Sequence, residues 1–242
     1  VLRRTCAALL TTTMLTTAAV AGGAGAPAAT AAIPVPAPLV DGVGTRAATD
    51  PADLQVLVNK AYPVTPRDWA PERLTRPDVR AVGGNDRLRP VAAHALERLA
   101  AASERATGRE LVLQSGYRDA DTQQRLYRRY VERDGRAAAD TYSARGGYSE
   151  HQTGLAADVS EAGTPYTRFE GTRTSRWVEA HAWRYGFVVR YPRGARAVTG
   201  YAPEAWHLRY VGVGLAAHMH VAGVTTLEEA SGAGPAPDYP PR

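Results

Sequence analysis

The residues best equipped for chemistry lie in Ser149-Glu-His-Gln-Thr-Gly-Leu-Ala-Ala-Asp158 and, further along, in Glu204-Ala-Trp-His207. His151, Asp158 and His207 are two imidazoles and a carboxylate, the ligand types a catalytic zinc takes when it keeps a fourth position open for water. Glu204 is then a spare carboxylate, suited to take a proton from that water. Seven residues of extended chain would span roughly 23 Å, whereas two ligands of one zinc each sit about 2 Å from it. The chain must therefore turn back between His151 and Asp158. Gly154 permits the turn, because it adopts positive φ without a Cβ penalty, and Leu155–Val159 then reads as a short buried strand carrying Asp158. Glu204 and His207, three apart, share a side of a helical turn or bend.

Other combinations compete. Ser149, His151 and Asp158 contain the residue types of a serine-hydrolase triad, but the Gly-x-Ser-x-Gly elbow that exposes such a nucleophile is missing. His218-Met-His220 is a second metal-like pair. If residues 213–221 are helical, its two imidazoles point roughly 200° apart and do not share an ion. His94 and His181 fall in helical patterns and read as ordinary side chains. With no His-Glu-x-x-His helix in the chain, the residues alone leave the zinc trio standing against a chance scatter of two histidines and an aspartate in a core.

The pattern Ser-x-His-x-x-Gly-x-Ala-x-Asp followed by Glu-x-Trp-His resembles the VanY-type D-alanyl-D-alanine carboxypeptidases, within the wider group of zinc peptidases related to lysostaphin and hedgehog domains. Leu57-Val-Asn-Lys60, Ser115-Gly-Tyr-Arg118 with Gln123 and Leu126-Tyr127, Tyr185-Gly-Phe187 with Arg190-Tyr-Pro192, and Thr226-Leu-Glu-Glu229 follow in that family's order. The resemblance runs from about Leu54 to Ala230. It implies a single catalytic domain that holds zinc through His151, Asp158 and His207. Glu204 would be the base that later protonates the leaving amine, and Arg118 would bind the carbonyl oxygen and its developing charge. Ser149 and Gln123 would lie near the carboxyl end of the substrate. The implied reaction is hydrolysis of the terminal D-alanyl-D-alanine bond of peptidoglycan stem peptides. Removal of a dipeptide, or cleavage within the stem, uses the same ligands. A non-catalytic, zinc-stabilised wall-binding module is the rival from another class, and the spare Glu204 speaks against it. Many members carry proline where this chain has Gly146, a departure that loosens the loop ahead of the metal motif.

The elements that must position these residues are readable in outline. Pro90 opens a helix with Val91, Leu96 and Leu99 on one stripe, stopped by Gly108. Leu111-Val-Leu113 reads as a central strand delivering Ser115 to Arg118. After Asp119 or Asp121 as cap, an amphipathic helix runs from Gln123 to Asp134 with Leu126, Tyr130 and Val131 inward. Ser175–Arg184 is a helix ended by Gly186, Phe187–Tyr191 a strand, and Pro192–Thr199 a basic loop. Trp206–Val211 is a strand leaving the site, and 213–221 a closing helix. Helices and strands mix without the strict alternation of a parallel α/β fold, so the expectation is α+β: a small antiparallel sheet flanked by helices.

The chain of 242 residues has one catalytic domain to fill, once its ends are set aside. Arg3 and Arg4 precede a Thr/Ala/Leu-rich apolar run, and small residues such as Ala29-Thr-Ala31 follow. Residues 1–31 therefore read as a secretory signal, too weakly apolar for a membrane span. Cys6, the only cysteine, falls inside it, so disulfides play no part. Residues 32–53, rich in Pro and Ala, read as a linker, 54–230 as the catalytic domain, and 231–242 as a disordered tail. The formal net charge is +5, spread along the helices rather than blocked, which argues against nucleic acid and is compatible with an anionic cell wall. A secreted, wall-associated monomer is the expectation.

Overall fold

The computed structural model describes residues 48–241. The predicted signal segment with Cys6, and positions 32–47 of the linker, lie outside the described residues. Among the described residues no helix is long and apolar enough to cross a membrane.

Helix α1, Pro90–Thr107, starts on a proline whose missing N–H costs nothing in a first turn and ends where Gly108 takes φ 69°. Strand β1 is Leu111–Ser115. Helix α2, Ala120–Asp134, is capped by Asp119, whose carboxylate accepts the Thr122 N–H, and the short α3 is Arg136–Ala139. Strand β2 is Ala156–Glu161, helix α4 Arg173–His181, and strand β3 Phe187–Tyr191. The basic loop contains a single helical turn, α5, Arg196–Thr199. Strand β4 is Glu204–Tyr210, followed by helix α6, Val213–Ala222, and the capping-box turn α7, Leu227–Ala230.

The strands form one antiparallel sheet in the order β1-β2-β4-β3, the α+β architecture expected. Side chains alternate across it. Leu111, Leu113, Ala157, Val159, Phe187, Leu208 and Tyr210 face one core with Leu96 and Leu99 of α1 and Val178 of α4. Asp158, His207 and Arg209 are thereby directed to the opposite face. On that side Leu57 packs with Val211, Leu215, Met219 and Leu227.

Four expectations need correction. Strand β1 lies at the edge of the sheet, not its centre. Its run is apolar throughout because the segment around Ala81 covers the outer edge, with Leu113 N–H bonded to Arg80 O and Val82 N–H to Leu113 O. The folded part begins before residue 54: Ala48 bridges Val56, and Pro51 is buried. The C-terminal tail is packed, not disordered. Ala236 is buried, the Tyr239 hydroxyl pairs with that of Tyr201 and accepts the Arg145 N–H, and the Lys60 ammonium donates to the carbonyls of Gly200 and Pro237. Nor does Gly146 loosen its loop. Its N–H donates to Gln124 Oε1, and an added Cβ would lie 2.5 Å from the Ala120 carbonyl oxygen, so proline would lose a bond and find no room.

Candidate active site

His151 sits in a single 3₁₀ turn, Glu150–Thr153, capped by Ser149 Oγ accepting the His151 N–H at 3.4 Å and closed by Gly154 at φ 68°. The turn the ligand spacing required is thus made where glycine allows it, and the chain then enters β2. There Asp158 lies directly opposite His207 of β4, so two of the three predicted ligands are a cross-strand pair. In a regular strand Glu204 and His207 would point to opposite faces. A register irregularity between β3 and β4, which places Glu204 opposite Tyr191, brings both into the same cavity.

Ligand-type atoms of His151, Asp158 and His207 lie within 4.8 Å of one another. His151 Nδ1 is 2.7 Å from the Gly116 carbonyl oxygen, which can only accept, so the proton is on Nδ1 and Nε2 is left to face Asp158 Oδ2 at 3.2 Å. His207 is oriented the other way round. Its Nε2 lies 3.3 Å from the Glu150 carboxylate, and its Nδ1 faces Asp158 Oδ1 at 3.2 Å and Glu204 Oε2 at 3.6 Å. Asp158 Oδ1, though close to His207, is off the line of a hydrogen bond and has no partner. Two imidazole nitrogens and a carboxylate gathered this closely fit a zinc ion in type and number.

Burial and neighbouring charges perturb each of these groups. Burial pushes the Glu204 carboxyl up to about 8, with Asp158 and Glu150 adding to the shift and His207 and Arg118 opposing it. Burial by itself would lower the His207 imidazole, but the adjoining Asp158 and Glu150 carboxylates outweigh it and hold the ring at about 9. Burial lowers His151, and burial of Asp158 is overcome by its two histidines, which keep that carboxyl well below its usual range. The carboxylates thus favour positive charge at His207, whereas burial disfavours it at His151.

These groups line a cavity of about 390 Å³. Arg118 reaches it with a buried Nε that has no protein partner, while its backbone N–H donates to His151 O. Tyr166 and Trp206 form part of the wall, edge to face at 5.4 Å. Ser149 is buried there too, and because its Oγ accepts from His151 it keeps its own hydrogen for another acceptor. Gln123 also lines the cavity, but its amide nitrogen donates to Ala144 O at 2.6 Å and faces Ser143 Oγ at 3.4 Å. Its open atom is therefore Oε1, an acceptor, rather than the donor a carboxylate needs.

The competing arrangements are not assembled. Ser149 Oγ engages a backbone N–H, and both ring nitrogens of His151 have other partners, so no Ser–His pair forms. His218 and His220 are exposed on either side of buried Met219, with His220 stacked on Trp183. His94 pairs with Glu97 on the surface, and His181 stacks on Trp177.

Sequence reasoning gave no role to Glu150, Arg190, Arg209 or Glu228, all of which are fully buried behind His207. The available signal was an arginine set among apolar residues in each of two strands, since a buried guanidinium needs a carboxylate partner.

Comparison with known proteins bears on the family and the fold. Residues 85–213 match the VanY family profile, described as D-alanyl-D-alanine carboxypeptidase. The putative carboxypeptidase YodJ of Bacillus subtilis is 37% identical over 180 residues, covering 72% of this chain and 64% of that protein. The chain thus spans less than two thirds of that relative's length. Among solved structures, the LdcB LD-carboxypeptidase superposes with a TM-score of 0.69 at 37% identity, covering 74% of this chain and 86% of that one. A mutant of the vancomycin-resistance D,D-pentapeptidase VanY from a VanB-type cassette, in complex with Zn(II), gives 0.62 at 31% identity, covering 73% and 97%. A profile match over more than half its length, together with a sheet that sets Asp158 against His207 and relatives sharing a third of their residues, means that the chain belongs to the VanY family of D-alanyl-D-alanine carboxypeptidases.

Proposed function

We propose that this protein is a zinc metallopeptidase that removes the terminal D-alanine from peptidoglycan stem peptides outside the cytoplasmic membrane. The observation that carries the reading is the opposed orientation of two imidazoles, His151 presenting Nε2 and His207 presenting Nδ1 toward Asp158, with the Glu204 carboxyl 3.6 Å from that same His207 nitrogen. Zinc held by these three residues would supply Lewis acidity to water and to the scissile carbonyl.

The chain's own residues supply the rest. Glu204, beside the ligand cluster and without a role as ligand, would take a proton from water as its carboxylate, the form a nearby zinc favours, and pass it to the leaving amine. The unpartnered Arg118 Nε–H has capacity to donate to the carbonyl oxygen, where charge develops as the tetrahedral centre forms. Ser149 retains a hydroxyl hydrogen for the terminal carboxylate of the substrate. Tyr166 and Trp206 form an apolar wall on one side of the cavity. The signal-like segment 1–31 supports export, and the substrate's place in the wall agrees with it.

A second reading is favoured by a specific observation. The LdcB neighbour at 37% identity is an LD-carboxypeptidase, whereas the D,D-pentapeptidase neighbour is 31% identical. Both reactions release one residue from a free carboxyl end, and the proposed arrangement of ligands, base and oxyanion donor would serve either. They differ in whether the residue before the scissile bond has a D or an L centre. Mass spectrometry of pentapeptide and tetrapeptide stems after incubation with the zinc-loaded protein separates them. Single-residue loss from the pentapeptide alone supports D,D cleavage, and loss from the tetrapeptide alone supports L,D cleavage. Dipeptide loss or internal cleavage would overturn both.

A further inference from the structure

Behind His207 lies a chain of buried charges that the peptidase mechanism does not use. Glu150 Oε1 accepts from Arg190 Nε and Arg209 Nη1, each at 2.8 Å, and Oε2 lies 3.3 Å from His207 Nε2. The two remaining nitrogens of Arg190 form a bidentate pair with Glu228 at 2.7 and 2.9 Å, and Glu228 Oε1 accepts from Asn59 Nδ2 at 2.9 Å. Arg209 spends its other donors on the carbonyls of Leu54, Val56 and Tyr210. The side chains of Glu150, Arg190, Arg209 and Glu228 have no exposed surface.

Two carboxylates and two guanidiniums balance in charge, yet taking four ions out of water is expensive, and well-packed apolar residues would often stabilise a core as well or better. The network has one directional feature: among the described residues its side-chain link to the zinc-ligand cluster is the Glu150–His207 contact. That contact puts the proton on Nε2, turns Nδ1 toward Asp158 and the cavity, and makes Nδ1 a stronger electron donor. Glu150 cannot swing away, because both arginines grip the same oxygen.

We propose that Glu150 is a positioning residue for His207, fixing its tautomer and ring orientation for metal binding, and that Arg190 and Arg209 hold Glu150 in place. This rests on the metal reading above. It also gives a task to segments outside the matched residues 85–213, since Asn59 and Glu228 anchor the far end of the chain of charges. A carboxylate adjoining a ligand in sequence thus serves the other histidine, delivered by a strand it does not share.

The test has two arms. In the full-length protein loaded with ¹¹³Cd, the couplings between the metal and the imidazole hydrogens distinguish which ring nitrogen is bound. The expected result is ligation through Nδ1 of His207 and Nε2 of His151. Ligation through His207 Nε2 would overturn the proposal alone, and failure of these residues to bind cadmium would overturn the metal reading and this proposal with it. In the second arm, zinc affinity is measured by chelator competition for Glu150→Gln and Glu228→Gln. The first should weaken zinc about 10- to 100-fold. The second breaks the same network but leaves the Glu150–His207 contact, and should change affinity by less than about threefold. Equal losses in the two would mean a merely structural network. Should Glu150→Gln not fold, the cadmium couplings of the unaltered protein still decide.

Discussion

Replacing Glu204 by glutamine should make the protein more stable without its metal and far less active with it. In the metal-free protein burial lifts the Glu204 carboxyl from 4.5 to about 8. The unfolded chain ionises this group near its ordinary value, so at pH 7 folding must carry a proton onto it or bury a charge. The cost of that mismatch at pH 7 is about 3 kcal/mol, at 1.36 kcal/mol per pH unit between the two states. Glutamine is nearly isosteric and neutral at every pH. The sign follows from the raised value: the advantage of glutamine is absent below pH 4.5, grows as pH rises toward 8, and levels off beyond. Urea unfolding of metal-free wild type and Glu204→Gln at pH 4.5, 7 and 9 measures it. Zinc-loaded turnover of the variant should fall by about 10²- to 10⁴-fold, the usual contribution of a positioned general base. A stability gap that does not widen with pH would refute the burial argument, and near-normal turnover would refute the assignment of the base.

Arg118→Ala should lower kcat by roughly 10²- to 10³-fold with little change in KM, because the guanidinium acts on charge present only in the transition state; steady-state kinetics on a stem pentapeptide decides this. Ser149→Ala should reduce kcat/KM about tenfold on a substrate with a free carboxyl terminus and scarcely affect an amidated one, since a hydrogen bond to a charged partner is worth about 1.5 to 3 kcal/mol. Truncation after Gly234 removes buried Ala236 and the Tyr239 contacts with Tyr201 and Arg145, and should lower unfolding stability in urea by about 1 to 3 kcal/mol.

Local signals made much of the site legible. Gly154 marks a turn that the distance between His151 and Asp158 demands, and Pro90 and Gly108 bound α1 through their own backbone chemistry. What failed to show was set by contacts distant in sequence. Glu150 draws its meaning from Arg190, Arg209 and Glu228, which the sheet and the C-terminal turn bring to it. The β3–β4 irregularity that aligns Glu204 with His207 leaves no composition signal of its own. Likewise Leu111-Val-Leu113 is as apolar at a covered edge as a central strand would be, and a Gly/Pro-rich tail gives no warning that Lys60 and Tyr201 will hold it.

The reaction proposed for this protein is a zinc-dependent attack next to a free terminal carboxylate. Its most direct test compares cleavage of a D-Ala-D-Ala-terminated stem peptide with that of its C-terminally amidated analogue, using zinc-loaded protein and protein stripped by a chelator. The expected result is release of a single alanine from the free acid, a poor reaction with the amide and, in the stripped protein, no reaction with either until zinc is restored. Equal cleavage of acid and amide, or undiminished activity in the stripped protein, would contradict it.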